Sequence, residues 1–245
     1  MKARTFYLLN ILLGLGAVYI TVAFGALQVK SFPGVLNYRV KKGDSLWAIS
    51  QRYHIGIPAL CRANGLKDPS RLKVGKRLVI PMDRYRYFSR QLALKRGIKY
   101  GPWKYIVVHH SATNVGNARR LDYFHRKIRH MPRGLAYHFV IGNGRGLGDG
   151  DIEIGPRWSK QQAGGHVRSE ALNEIALGIC LVGNFEKKPP SRKQMDSLVA
   201  LTRYLQKKFH IPRRRVQGHK ETKNAHTLCP GRYFPLRSFR KRLLP

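Results

Sequence analysis

The chain has 245 residues, and its 47 lysines and arginines against 12 aspartates and glutamates give a formal net charge of +35. An excess of this size draws a protein onto polyanions such as nucleic acid, phospholipid headgroups or anionic wall polymers. The basic residues are scattered and form no recognised nucleic-acid motif, so a nucleic-acid binder rests on charge alone and we expect no specific nucleic-acid partner.

The N-terminal segment predicts a membrane anchor. Residues Met1 to Arg4 are basic, and Phe6 to Leu27 then carry no charged side chain, a stretch sufficient for roughly 30 Å of hydrocarbon. We therefore assign residues 1–30 to a membrane anchor, a transmembrane helix whose N-terminal end lies in the cytoplasm, although Ala23-Phe24-Gly25 leaves a cleaved signal segment open. This predicts an envelope protein anchored in the inner membrane, facing the periplasm or the exterior, with anionic envelope polymers or lipids as partners.

Residues 37–81 predict a small module with a strand at each end and two helices between. Asp44 or Ser45 can begin the first helix, and Asn64-Gly65 can end the second. The segments Tyr38 to Ser50, Ile57 to Gly65 and Leu72 to Pro81 together resemble a LysM module, a βααβ unit.

The LysM resemblance implies binding to glycans that contain N-acetylglucosamine. Its glycan-facing loops would be Gly43-Asp44-Ser45-Leu46 and Asn64 to Asp68. The candidate binding residues are therefore Gly43, Asp44 and Asn64.

The rest of the chain predicts a basic linker, residues 82–101, and a second domain, residues 102–245. The linker has a possible short helix at Ser89 to Lys95. In the domain, apolar spacing predicts helices over Ala118 to His130 and after Ser191, which can cap its helix. We expect a mixed α/β fold, with a central mixed sheet flanked by helices.

Three side chains with metal-binding chemistry stand at the edges of predicted strands. His109 follows Tyr105 to Val108, His219 follows Arg215 to Gly218, and Cys229 precedes Pro230-Gly231. Two imidazoles and one thiolate leave the fourth corner of a zinc tetrahedron open to water, as in catalytic sites. Cys61 and Cys180 are expected to be buried thiols.

Five motifs around these side chains occur in a fixed order. They are Ile106 to Thr113, Ala136 to Gly142, Gly164-Gly165-His166, Ile175 to Phe185, and Gly218-His219 to Gly231. Together they resemble the type-2 N-acetylmuramoyl-L-alanine amidases, which share a family with the peptidoglycan recognition proteins.

The amidase resemblance implies a role for several residues. Zn²⁺ would be held by His109, His219 and Cys229; the tyrosine beside the metal would be Tyr137, and the polar residue before the cysteine would be Thr227. His166 matches a position that lines the substrate cleft. His219 and Cys229 lie ten positions apart, more than is typical of the family, and this leaves His226 as a rival ligand.

Other ionisable residues near these motifs have less specific readings. His138 alternates with Tyr137 along a strand, so we expect a hydrogen-bonded core histidine there, and by the same alternation His110 points away from His109. Glu153 is a second possible proton carrier, ranked below Tyr137.

The sequence thus predicts a peptidoglycan hydrolase. A zinc-activated water would cleave the amide between N-acetylmuramic acid and the L-alanine of the stem peptide. Two alternatives remain: a non-catalytic peptidoglycan receptor, against which the retained Cys229 argues, and a phage-type lysin with the same chemistry.

Overall fold

The computed structural model describes residues 27–29, 35–53, 55–66, 68, 72–81 and 84–245. Within these residues no helix is both long enough and apolar enough to cross a membrane. The predicted anchor, Phe6 to Leu27, lies outside the described residues except for Leu27. That residue begins strand β1 (Leu27–Val29), although the run of uncharged residues predicts it as the last residue of the anchor.

The first module has the predicted βααβ order. Its elements are β2 (Val35–Arg39), α1 (Leu46–Tyr53), α2 (Ile57–Asn64) and β3 (Arg77–Pro81). The two strands pair antiparallel, and a small apolar core lies between them and the helices, formed by Val40, Leu46, Ile49, Leu60, Leu78 and Ile80.

Ser45, one of the two predicted capping residues, caps the N-terminal end of helix α1. Its hydroxyl oxygen accepts a hydrogen bond from the Ala48 amide at 3.0 Å, which satisfies a donor of the first helical turn. Helix α2 ends as predicted, because Gly65 takes a left-handed conformation with φ of 60°.

Helix α3 (Arg84–Gln91) begins earlier than the predicted helix at Ser89 to Lys95. Phe88 and the following Leu92 are buried in the core of the second domain, and the Leu92 carbonyl accepts a hydrogen bond from the Trp158 indole. This part of the predicted linker is therefore packed against the domain.

The second domain is built on a six-stranded sheet of order β1-β6-β5-β7-β4-β8. Its further strands are β4 (Tyr105–His110), β5 (Phe139–Ile141), β6 (Ile152–Ile154), β7 (Ala176–Leu181) and β8 (Val216–Gly218). Strand β4 runs parallel to β7 and β8, and β5 runs parallel to β7. Strand β6 is antiparallel to both β5 and β1, so the predicted mixed sheet is confirmed.

Helices pack around this sheet, as expected. They are α4 (Ala118–Tyr123), which continues as a π-helical turn over Phe124–Ile128, α5 (Pro156–Ser159), α6 (Glu170–Ile175), α7 (Arg192–Phe209) and α8 (Leu236–Lys241).

Helix α7 shows how the sequence builds this layer. Ser191 and Gln194 form a reciprocal capping box at its start, and its buried residues recur at threes and fours, including Met195, Leu198 and Leu205. This apolar stripe packs on the sheet.

Candidate metal centre

Parallel pairing of two strands brings the two predicted histidine ligands together. Val108 of β4 lies opposite Gly218 of β8, so the next residues, His109 and His219, leave the sheet side by side. Their ring centroids are 4.5 Å apart. Two positions 110 residues apart in sequence therefore become neighbours at one edge of the sheet.

Cys229 enters the same site from the loop before α8. Its Sγ lies 3.7 Å from Nδ1 of His109 and accepts a hydrogen bond from the His110 amide at 3.4 Å. The Lys220 amide donates to the Cys229 carbonyl at 2.7 Å. That bond joins the loop that carries His219 to the loop that carries Cys229.

The geometry of these three side chains fits a tetrahedral zinc site. One ligand atom from each of His109, His219 and Cys229 lies within 4.8 Å of the others. Zinc–nitrogen and zinc–sulfur bonds of usual length would place such a nitrogen and sulfur about 3.6 Å apart, close to the 3.7 Å between His109 and Cys229. The rival His226 is exposed and lies outside this group.

Burial sets the protonation of the three candidate ligands. It lowers the pKa of His109 well below its ordinary value, assisted by the neighbouring His166 and His219, and it also lowers the pKa of His219. Both rings are therefore neutral and ready to bind a cation. Burial raises the pKa of the Cys229 thiol to about 12, so a metal must displace that proton as it binds.

Tyr137 stands beside the ligands as predicted. Its ring centroid lies 5.1 Å from that of His109. Burial, reinforced by the thiols of Cys180 and Cys229, raises the pKa of Tyr137 well above its ordinary value. The phenol therefore keeps its proton at neutral pH and can donate a hydrogen bond.

Thr227 lies in the cysteine loop, where its hydroxyl oxygen accepts a hydrogen bond from the Cys229 amide at 3.1 Å. This bond fixes the turn before the thiol. The hydroxyl proton is not used by that bond, so it remains able to donate to another group.

His166 lies behind His109. Its side chain is buried, its Nδ1 is 3.1 Å from Nε2 of His109, and its Nε2 is 3.2 Å from the Ala176 carbonyl oxygen. Burial lowers the pKa of His166 to about 3. Both ring nitrogens have partners within the protein, so the predicted substrate contact stays a prediction without support from this placement.

The other histidines follow the alternation along their strands. His138 is buried; its Nδ1 accepts from the Gly178 amide at 3.0 Å and its Nε2 lies 3.1 Å from the Gln162 carbonyl oxygen. The prediction of a hydrogen-bonded core histidine is confirmed. His110 Nδ1 accepts from the Phe185 amide at 3.1 Å, so this ring has a structural partner of its own.

Glu153 lies on β6, at the level of His109 but three strands away across the sheet. Its carboxylate accepts a hydrogen bond from the Ala118 amide at 2.5 Å, which satisfies a donor at the start of α4. Burial raises the pKa of this carboxyl group. The structure gives Glu153 a helix-anchoring contact, and Tyr137 is the closer neighbour of the ligands.

The predicted glycan-binding residues differ in their surroundings. Gly43 is exposed. Asp44 accepts hydrogen bonds from the Tyr38 hydroxyl at 2.6 Å and the Lys41 amide at 2.7 Å, while the Asn64 side chain bonds Leu60 and both backbone groups of Val79. The side chains of Asp44 and Asn64 thus hold the module together. Trp47, in the first turn of α1, is 65% exposed.

One supporting pair was not identified from the sequence. Glu221 accepts a hydrogen bond from the Gly218 amide at 2.8 Å and is bonded by both terminal nitrogens of the Arg240 guanidinium. This pair fastens the turn that carries His219 to α8. The capping spacing of Gly218 and Glu221 is a visible signal, whereas the arginine comes from a distant helix.

The family comparison matches both parts of the chain. Residues 99–232, more than half of the chain, match the model of the N-acetylmuramoyl-L-alanine amidases. Residues 38–81 match the LysM domain.

Individual relatives agree with these matches. Peptidoglycan-recognition protein 2 of Holotrichia diomphalia is 36% identical over 39% of this chain and 50% of its own length. Human peptidoglycan recognition protein 3 is 26% identical over 89% of this chain and 64% of its own length. The chain therefore spans less than two thirds of these two curated relatives.

A solved structure shares the fold of the second domain. It is the endolysin N-acetylmuramoyl-L-alanine amidase LysCS of Clostridium intestinale, with 33% identity and a TM-score of 0.50. The match covers 58% of this chain and 84% of that one.

We predict that His219→Ala removes tight zinc binding, while His226→Ala leaves it unchanged. His219 contributes a ligand atom to the cluster, and His226 is exposed outside it. Isothermal titration of the two purified metal-free variants with Zn²⁺ measures this difference. If His226→Ala loses zinc affinity and His219→Ala does not, His226 is the ligand and the assignment to His219 is wrong.

Proposed function

Because the chain belongs to the N-acetylmuramoyl-L-alanine amidase family, we propose that it is a zinc-dependent peptidoglycan hydrolase. The bond cleaved is the amide between the lactyl group of N-acetylmuramic acid and the L-alanine of the stem peptide. The observation that carries the proposal is the cluster of His109, His219 and Cys229 with Tyr137 directly beside it.

An amide is a poor electrophile, and its amine leaves only after protonation. Bound at the three ligands, Zn²⁺ would supply a polarised carbonyl and a water whose pKa falls from 15.7 to about 7. The neutral rings of His109 and His219 provide lone pairs for the cation. The His110 amide donates a hydrogen bond to the Cys229 sulfur and would stabilise the thiolate that forms when the metal binds. The chain's own residues must stabilise the oxyanion and supply the proton to the leaving amine.

Tyr137 is the group that we assign to the developing charge. Its phenol is protonated and partly buried next to His109, so it can donate a hydrogen bond to the tetrahedral oxyanion. The Thr227 hydroxyl lies two residues before Cys229 and retains a proton to donate to the same oxygen. These donors would lower the barrier without a change in their own charge.

The LysM module supports peptidoglycan as the substrate. The exposed Trp47, four positions after Gly43, offers an aromatic surface to a sugar ring, and the recognition proteins among the relatives are named for peptidoglycan. We propose that the module holds the glycan strand while the second domain acts on the stem. LysCS, an endolysin, favours the lysin variant of this function, with the same chemistry.

Attachment to the envelope is a further part of the proposal. Adjoining grooves beside α8, of about 440 and 670 Å³, are lined mainly by basic side chains; these are Arg213, Arg214, Arg237, Arg240 and Lys241. Such a surface favours anionic polymers or lipids, and the apolar segment Phe6 to Ala26, which precedes β1, would supply the membrane anchor. Salt-insensitive or absent binding to anionic vesicles would contradict the electrostatic part of this proposal.

The function is tested on purified sacculi. The expected products are stem peptides with a free L-alanine amino group and glycan strands with intact lactyl groups, both identified by mass spectrometry. Activity should disappear with a chelator and return with Zn²⁺. A folded, zinc-loaded protein that binds sacculi and releases no peptide would be a receptor, and the proposed hydrolysis would be wrong.

We predict that Tyr137→Phe lowers kcat by roughly 100- to 1000-fold, because one oxyanion donor is lost while substrate binding is retained. Tyr100→Phe is the matched control, since its ring packs on Trp158 and Phe209 outside the site. Steady-state rates on a soluble muropeptide separate kcat from KM. Equal rates for both variants would remove Tyr137 from the chemistry.

A further inference from the structure

His109 can serve a metal only through one of its two nitrogens, and the structure shows which. Nδ1 faces Cys229 at 3.7 Å, whereas Nε2 faces the neighbouring His166 at 3.1 Å. A neutral imidazole carries one proton, and the nitrogen that bears it cannot bind a metal. The ring is therefore a good ligand only if its proton is on Nε2.

The Ala176 carbonyl oxygen determines which ring nitrogens of His166 and His109 carry a proton. A carbonyl has no proton to give, so the hydrogen bond at 3.2 Å must be donated by Nε2 of His166. On a neutral ring, Nδ1 of His166 then carries a lone pair and accepts. The bond at 3.1 Å must accordingly be donated by Nε2 of His109, which leaves Nδ1 of His109 free toward Cys229.

The His166 ring is held in a slot made by glycines. A Cβ atom placed on Gly178 would lie 2.3 Å from Cδ2 of His166, and one on Gly164 would lie 2.6 Å from the same ring. The loop is also pinned, because Oδ1 of Asn173 accepts from the His166 and Val167 amides at 3.0 and 3.2 Å. The ring thus has little freedom to turn its nitrogens away.

We propose that His166 is a positioning residue. It donates a hydrogen bond to the Ala176 carbonyl and accepts one from His109, and these two bonds together hold His109 in the tautomer that presents Nδ1 to the metal. The inference rests on the proposed zinc site. It assigns His166 to the ligand His109 and not to the substrate. A hydrogen-bonded partner behind a metal-bound histidine usually changes metal affinity 10- to 100-fold.

The first test needs no substitution. In the metal-free full-length protein, two-bond ¹H–¹⁵N correlation spectra of the imidazoles report which nitrogen carries the proton. We expect the Nε2–H form for both His109 and His166. A His109 ring with its proton on Nδ1 would overturn the proposal, whatever the protein does with zinc.

The second test compares three variants of the full chain. His166→Phe keeps a ring in the slot but removes both nitrogens, and it should weaken zinc binding about 10- to 100-fold in competition with a chromogenic chelator. His166→Gln retains an acceptor and a donor and should recover part of that affinity. His138→Phe is the control, because His138 is also buried with two ring hydrogen bonds and also contacts Gly178.

The outcomes separate this inference from the proposed function. If the native chain binds no zinc, the zinc-dependent function is wrong. If the native chain binds zinc and His166→Phe binds it equally well, or loses no more than His138→Phe, the positioning role is wrong. Weaker zinc binding in His166→Phe alone, together with partial rescue by His166→Gln, supports it.

Discussion

The parallel register between β4 and β8 is the constraint on which the metal centre depends. Because Val108 pairs with Gly218, the two histidines that follow emerge at the same level of the sheet, and neither can shift by one residue without turning to the opposite face. The apolar residues of β4 are buried on both faces, which holds this register. The third ligand is added by a loop that is bonded to the second through Lys220 and Cys229.

Burial acts on the two kinds of ligand in opposite directions. It keeps His109 and His219 neutral, which is the form that binds a cation, but it also keeps the Cys229 thiol protonated. The amide of His110 offsets part of this cost by donating to the sulfur. The coupling between pH and metal binding is therefore concentrated in the thiol, and affinity should fall as the pH falls.

The sequence was sufficient for the parts of the structure that depend on local patterns or on ordered motifs. Helix α7 has both a cap and an apolar stripe. The three candidate ligands belong to sequence motifs, and the structure brings these three side chains together. The position of His166 could not be predicted, because it depends on a glycine of β7 and on Asn173 of a different element. The strand Leu27–Val29 was missed for a similar reason. Three residues are too few to show an alternation of apolar and polar side chains, and only their pairing with β6 makes them a strand.

The central claim is that two imidazoles and one thiolate of this chain bind a single zinc ion and leave room for a small oxygen ligand. X-ray absorption spectroscopy at the zinc edge, on the full-length protein loaded with one equivalent of metal, tests it most directly. The account predicts one sulfur at about 2.3 Å and two or three nitrogen or oxygen atoms at about 2.0–2.1 Å, with imidazole scattering. A first shell without sulfur, or with six oxygen atoms, would contradict it.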